Sequence, residues 1–168
     1  MPVIRPETEA DHDTVAALVR AAFGGEDEVV LIARLRSDGD ALVSLVAVEG
    51  GAILGHILFS PLAVEIDGMP VSAAALAPVA VRPDRQGQGI GAQLIEAGLE
   101  ACRVAGIAAV IVLGHPAYYP RFGFSADLAR KLRAPFSGDA FMAVALVPGA
   151  LDGDAGSVRY APAFGIED

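Results

Sequence analysis

Residues 42–81 contain three apolar stretches, 42–48, 52–66 and 71–81, parted by Glu49-Gly50-Gly51 and by Asp67-Gly68. A helix crossing a bilayer wants about 20 uninterrupted apolar residues. With 54% apolar residues and a mean hydropathy of +0.50, such a helix has to be weighed here. The sequence argues against it, because Glu49, Gly50 and Gly51 break residues 41–64 into two pieces of strand length, and His56 and Pro61 stand in the second. Asp-Gly is a strong hairpin dipeptide, and the runs are rich in β-branched and aliphatic side chains. Three consecutive strands of an antiparallel meander are expected.

The rest of the chain is arranged around that meander. Residues 3–5 read as a first strand, and Thr8 with Asp11 three positions on is a variant of the capping box. Val15, Leu18, Val19 and Ala22 recur at helical spacing until Gly24 and Gly25, and residues 26–36 repeat the pattern through Val29, Ile32 and Ala33. Beyond residue 89, Ile90, Leu94, Ile95 and Leu99 mark one face of a further helix, with Arg103 at its carbonyl end and Gly106 just past it. Residues 108–113 are a buried strand, 114–124 a turn or short helix, and 141–147 another apolar strand. The expected order is β-α-α-β-β-β-α-β-α-β-β, a single α/β domain over residues 1–168 with a mixed, largely antiparallel sheet flanked by helices.

A chain of 168 residues can bury a core without staples, and its single cysteine, Cys102, excludes an intramolecular disulfide or a multi-cysteine zinc site. The opening MPVIRPETEADHD has no apolar signal core, so a cytoplasmic location is expected. The formal net charge of −9 disfavours nucleic acid and anionic membranes as partners and favours a cationic one. His12, His56 and His115 stand in unrelated contexts, so no metal is expected.

The stretch RQGQGIGAQLI places Gly87, Gly89 and Gly91 between a strand and a helix. Helix starts carry unpaired amides and partial positive charge, and glycines let an anion approach them, so a diphosphate would fit. A P-loop needs Lys then Ser or Thr after its last glycine, and none follows Gly91. Gly87, Gly89 and Ala92 do satisfy GxGxxA, but RPDRQ intervenes after the strand and the next strand ends in VLGH, without the acid expected for a ribose. A dinucleotide remains the runner-up to the third ligand, coenzyme A.

The segment VAVRPDRQGQGIGAQLI resembles the central motif of the GNAT superfamily of N-acetyltransferases, whose QxxGxG pattern is met by Gln86, Gly89 and Gly91. YYPRFGF resembles that family's later YxxxGF element through Tyr119, Gly123 and Phe124, and the element order matches over nearly the whole chain. The resemblance implies acetyl-CoA as acyl donor. Backbone groups of Val79, Ala80 and Val81 would pair with the pantetheine arm, and Gln86, Gly87, Gln88, Gly89, Ile90, Gly91 and Ala92 would hold the pyrophosphate. Tyr119 would be the general acid as a neutral primary amine of a small molecule, peptide or protein attacks the acetyl carbon directly.

The sequence departs from the pattern at Val112, where many members carry Asn. Glu26, Glu28 and His56 are conceivable bases, although solvated charges and a core histidine are the ordinary roles of such residues. His115 reads as a turn with Pro116, and Cys102 as core. Two other function classes stay open, a non-catalytic acyl-CoA-binding module and a dinucleotide-binding oxidoreductase. Edge strands near the carboxyl terminus are candidates for pairing in a homodimer. The loop at 24–28, the meander turns and the tail GSVRYAPAFGIED are candidate linings for the acceptor pocket.

Overall fold

The computed structural model describes residues 1–166; Glu167 and Asp168, the end of the candidate tail, lie outside the described residues. The strands are β1 (Val3–Pro6), β2 (Val43–Glu49), β3 (Ala52–Ile66), β4 (Met69–Val81), β5 (Ala109–Leu113), β6 (Leu132–Arg133), β7 (Phe141–Ala145) and β8 (Gly156–Tyr160). The helices are α1 (His12–Phe23), α2 (Asp27–Ser37), α3 (Ile90–Val104) and the single turn α4 (Ala126–Ala129). The sheet runs β1-β2-β3-β4-β5-β7, with β8 paired to both β3 and β6. This is the expected mixed, mostly antiparallel α/β arrangement. Strand β8 takes the place of the last strand of the expected order, and β6, two residues long, is additional to it, too short to carry a strand periodicity.

The described residues fall into two compact units, Met1–Phe59 with Ala77–Glu100, and Ser60–Leu76 with Ala101 onward. In the first, β1 and β2 pair antiparallel from Val3↔Val48 to Pro6↔Leu45, and β2 pairs with β3 from Val43↔Phe59 to Glu49↔Ala52. Gly50 and Gly51 have φ of 58° and 80°, the two positive values that a type I′ hairpin turn demands. The Thr8 amide and hydroxyl donate to Asp11 Oδ2 at 2.8 and 3.1 Å, as the capping pattern predicts, but the turn they close is 3-10 and α1 follows it. Helix α1 buries Val15, Leu18 and Val19 and ends at Gly24 in the left-handed conformation. In α2 the buried positions are Ile32 and Leu35, whereas Ala33 is exposed, so the apolar face is rotated from the expected one. Leu35 outweighs the smaller alanine in the apolar surface it removes from water.

Two glycines set how closely α3 approaches the strands of this unit. A Cβ on Gly98 would stand 2.3 Å from the buried Phe59 ring, and one on Gly55 would stand 2.8 Å from Leu94 Cδ1 and 3.1 Å from the Ala80 carbonyl. The Arg82 amide donates to the Leu54 carbonyl at 2.8 Å, which anchors the end of β4 beside β3.

In the second unit, β4 runs parallel to β5 over Ala73↔Ala109, Ala74↔Val110 and Ala75↔Ile111, and β5 pairs antiparallel with β7 from Ala109↔Ala145 to Leu113↔Phe141. The later half of β3 pairs with β8 from Leu62↔Tyr160 to Ile66↔Gly156, and β8 runs parallel to β6. Leu62, Val64, Ile66, Ala75, Ile111, Leu132, Phe141 and Val158 fill the core between them. Asp67 (φ 51°) and Gly68 (φ 81°) form the hairpin turn, and the Asp67 carboxylate accepts from the amides of Asp154 and Ala155 at 3.0 and 3.1 Å. Among the described residues, no helix is long and apolar enough to cross a membrane.

Candidate active site

The parallel ladder between β4 and β5 ends at Ala75↔Ile111, so the backbone groups of Val79, Ala80 and Val81 are not part of it. Pro78 supplies no N–H, which leaves Val79 as the first amide donor of this segment. After Val81 the chain passes through a 3-10 turn, Pro83–Arg85, and reaches α3 at Ile90. Gln86 Nε2 donates to the Val81 carbonyl at 3.1 Å, closing the loop on the end of its strand.

Gly87 and Gly89 have φ of 76° and 85°, and a Cβ on either would meet nothing within 4 Å, so backbone conformation rather than crowding calls for glycine there. The first bond of α3 runs from the Gln93 amide to the Gly89 carbonyl at 3.1 Å, so the amides of Ile90, Gly91 and Ala92 precede any intrahelical partner. The first turn of α3 holds no acidic residue. Gln86, Gly87, Gln88 and Gly89 are exposed, Gly91 and Ala92 half-buried, and Ile90 is buried as the anchor of the helix start. This unit thus brings Val79, Ala80 and Val81 together with the seven loop residues.

Both arginines of the loop are engaged. Arg82 binds Asp84, with Nε 2.6 Å from Oδ1. Arg85 reaches Glu49 at 2.7 Å and donates to Gln88 Oε1 at 2.8 Å, tying the loop to the hairpin turn after β2.

Tyr119 belongs to the other unit, where it opens a 3-10 turn, Tyr119–Phe122. It is 8% exposed, and its ring meets those of Tyr118 and Phe124 edge-on at 5.2 and 5.7 Å between centroids. Burial, and to a smaller degree the neighbouring Tyr118, pushes its phenol above the ordinary value of 10. A Cβ on Gly114 would lie 2.3 Å from Tyr119 Cε2. Gly114 therefore seats the tyrosine, a dependence that sequence spacing does not reveal. The exposed His115 forms the expected turn, its carbonyl accepting from the amides of Tyr118 and Tyr119 at 3.0 and 3.3 Å.

The three conceivable bases differ sharply. Glu26 is exposed, and the hydrogen bond from Arg20 holds its carboxyl below the usual range. Glu28 is half-buried in the first turn of α2. His56 is fully buried, with Nε2 2.6 Å from Glu7 Oε2 and 2.9 Å from Ser44 Oγ, while Nδ1 has no partner among the described residues. Glu7 also binds Arg36 and lies 3.3 Å from His12 Nε2, its side chain only 3% exposed. The positions joined here are spread from residue 7 to residue 56, which hides the cluster from any local pattern. Cys102 is buried in α3, and desolvation pushes its thiol up to about 12, which removes it as a nucleophile. Among the described residues, no group of three or more His, Cys, Asp or Glu side chains could hold a metal.

Residues 3–126 match the model of the acetyltransferase (GNAT) domain family. The chain belongs to the GNAT acetyltransferases. It is 37% identical over 161 residues to a protein described as uncharacterized N-acetyltransferase YhbS of Escherichia coli, covering 94% of this chain and 95% of that one. The crystal structure of E. coli YhbS in complex with CoA superposes with a TM-score of 0.89 at 36% identity, covering 98% of this chain and 92% of that one. A GNAT acetyltransferase of Brucella melitensis in complex with acetyl-CoA gives a TM-score of 0.81 at 36% identity, over 98% of each chain. The chain is accordingly read as an N-acetyltransferase, and the family assignment agrees with the motifs that suggested it.

Proposed function

We propose that this GNAT enzyme uses acetyl-CoA to acetylate a primary amine by direct attack. The observation that carries the reading is the start of α3, where three amides without intrahelical partners stand in a first turn that holds no acidic residue and follow two glycines in positive φ. That arrangement suits a diphosphate on backbone N–H groups. The CoA and acetyl-CoA held by two relatives at 36% identity support the same ligand. The backbone of Val79, Ala80 and Val81 would take the pantetheine arm as an added strand would, and the Val79 amide would polarise the thioester carbonyl.

In this reading the neutral amine attacks the acetyl carbon, the C–S bond breaks, and Tyr119 gives its proton to the departing thiolate. Its raised pKa favours the protonated phenol while making it a weaker acid. The amine's proton leaves to water, since Glu26 is bound to Arg20, Glu28 stands in the first turn of α2 and His56 is buried against Glu7. Localisation in the cytoplasm follows from the same reading, as acetyl-CoA chemistry needs the intracellular donor pool.

Calorimetric titration of CoA into the wild type and Gly89→Val tests the loop, with at least about a tenfold loss of affinity expected from the strained left-handed valine. Thiol release from acetyl-CoA with a panel of amines tests the chemistry. Tyr119→Phe should lower kcat about 10- to 100-fold, the low end for acid catalysis because a thiolate already leaves readily, with CoA affinity unchanged. CoA binding without amine-dependent turnover across the panel would instead identify a binding module.

A further inference from the structure

The ladder of β3, β8 and β6 carries a row of polar side chains on the face turned away from its core. Glu65 stands opposite Ser157, and Ser157 opposite Arg133. Their chain neighbours Val64, Ile66, Val158 and Leu132 point the other way and are buried, while Glu65 and Arg133 are exposed and Ser157 is half-buried. With neighbouring strands about 4.8 Å apart, the acid and the base rise from backbones roughly 10 Å apart, with only a serine between them. The side chains of Glu65 and Arg133 have no hydrogen bond or ion pair among the described residues. Elsewhere the arginines of this acidic chain are paired, Arg5 with Asp11, Arg20 with Glu26, Arg36 with Glu7, Arg82 with Asp84 and Arg85 with Glu49.

A cleft of about 510 Å³ opens over this row, bounded also by Ala134, Pro135 and Arg159. Its volume falls within the range of about 300–1,000 Å³ typical of small-molecule sites, and it combines an apolar wall with a few convergent polar groups. Arg159 has a partner of its own, and the two remaining charges, Glu65 and Arg133, are opposite and unsatisfied, so a ligand of a single sign leaves one of them unmatched. A ligand carrying both signs at the right separation matches each.

We propose that this cleft binds a short linear zwitterion, with its ammonium group at Glu65 and its carboxylate on the Arg133 guanidinium. Ser157 offers a hydroxyl to the middle of the molecule. A chain of four methylenes spans roughly 6 Å from nitrogen to carboxyl carbon, which leaves hydrogen-bond reach to both side chains. The planar guanidinium can bind the carboxylate through two parallel N–H donors. Both ends are solvent-exposed, so each alone is weak and the pair acts through being joined.

The test titrates 5-aminopentanoate into the full-length protein, followed by calorimetry and by ligand-observed NMR at low salt, with pentanoate and pentylamine as one-ended controls. Saturable binding at millimolar concentration is expected, at least about tenfold tighter than either control and weakened by added salt. Arg133→Gln and Glu65→Gln alter exposed side chains and should leave the melting temperature near that of the wild type, yet each should bring the zwitterion's affinity down to that of a one-ended control. Absence of saturable binding, equal affinity for a one-ended control, or binding that survives both substitutions would overturn the proposal.

Discussion

Gly114 and Tyr119 are interlocked, and the glycine has no other evident task. A methyl group at residue 114 cannot coexist with the ring where it stands, since 2.3 Å is far inside van der Waals contact. Gly114→Ala should displace Tyr119 and lower kcat nearly as far as Tyr119→Phe, with CoA affinity retained; a full-rate alanine variant would show that the tyrosine's position does not matter. Glu7 presents a second dependence at this scale. Burial pushes its carboxyl up, but the hydrogen bond from His56, the charges of His56 and Arg36, and the Ser44 hydroxyl together hold it below its ordinary value. A carboxylate whose native pKa is depressed stabilises the fold fully above its unfolded pKa and loses that contribution as the pH falls through the native one. Urea midpoints measured from neutral to acid pH should therefore fall less steeply for Glu7→Gln than for the wild type below about pH 5. At neutral pH the variant should be less stable by about 3 kcal/mol, because Arg36 loses its buried counter-charge. The glycine loop and Tyr119 were legible in the sequence because each lies within one short motif. Gly114 and the Glu7 cluster were not, since what they touch is set by packing rather than by spacing.

At the scale of elements, α3 is the best determined piece. Its periodic apolar face, its glycine entry and Gly106 after its end were all readable, and the structure buries Ile90, Leu94 and Ile95 as that periodicity requires. The reason for Gly98 was hidden, because it is the buried Phe59 ring that occupies the space of a side chain there. Gly98→Ala improves helix propensity yet overpacks the contact, and a net loss of about 1–3 kcal/mol is expected. Thermal melts followed by circular dichroism would check this; a higher melting temperature would mean that propensity outweighs the clash. Strand β6 escaped the sequence reading, and of β8 only its place as the last strand of the expected order was readable, for another reason. They are short, and β8 is fastened partly through the Asp67 carboxylate rather than by an alternating pattern of its own.

For the whole molecule, β3 and β4 each supply residues to both compact units. Neither strand can leave the sheet without removing ladder partners from each unit, so unfolding is expected to be a single cooperative transition. The chain offers a convenient check, because it lacks tryptophan and its three tyrosines, Tyr118, Tyr119 and Tyr160, all lie in the second unit. Tyrosine fluorescence reports that unit alone, while far-ultraviolet circular dichroism reports the helices and strands of both. Coincident urea transitions support one domain, and separated midpoints would divide it.

The burial of Cys102 has a practical consequence at the bench. A thiol held near 12 inside α3 is closed to disulfide dyes and alkylating agents at neutral pH. In a transfer assay with such a dye, the sulfhydryl released from the acyl donor is then the only one that colours, and the enzyme contributes no background. Slow labelling of the protein without substrate would time the opening of α3, so one reagent can serve as both a turnover counter and a clock for local unfolding.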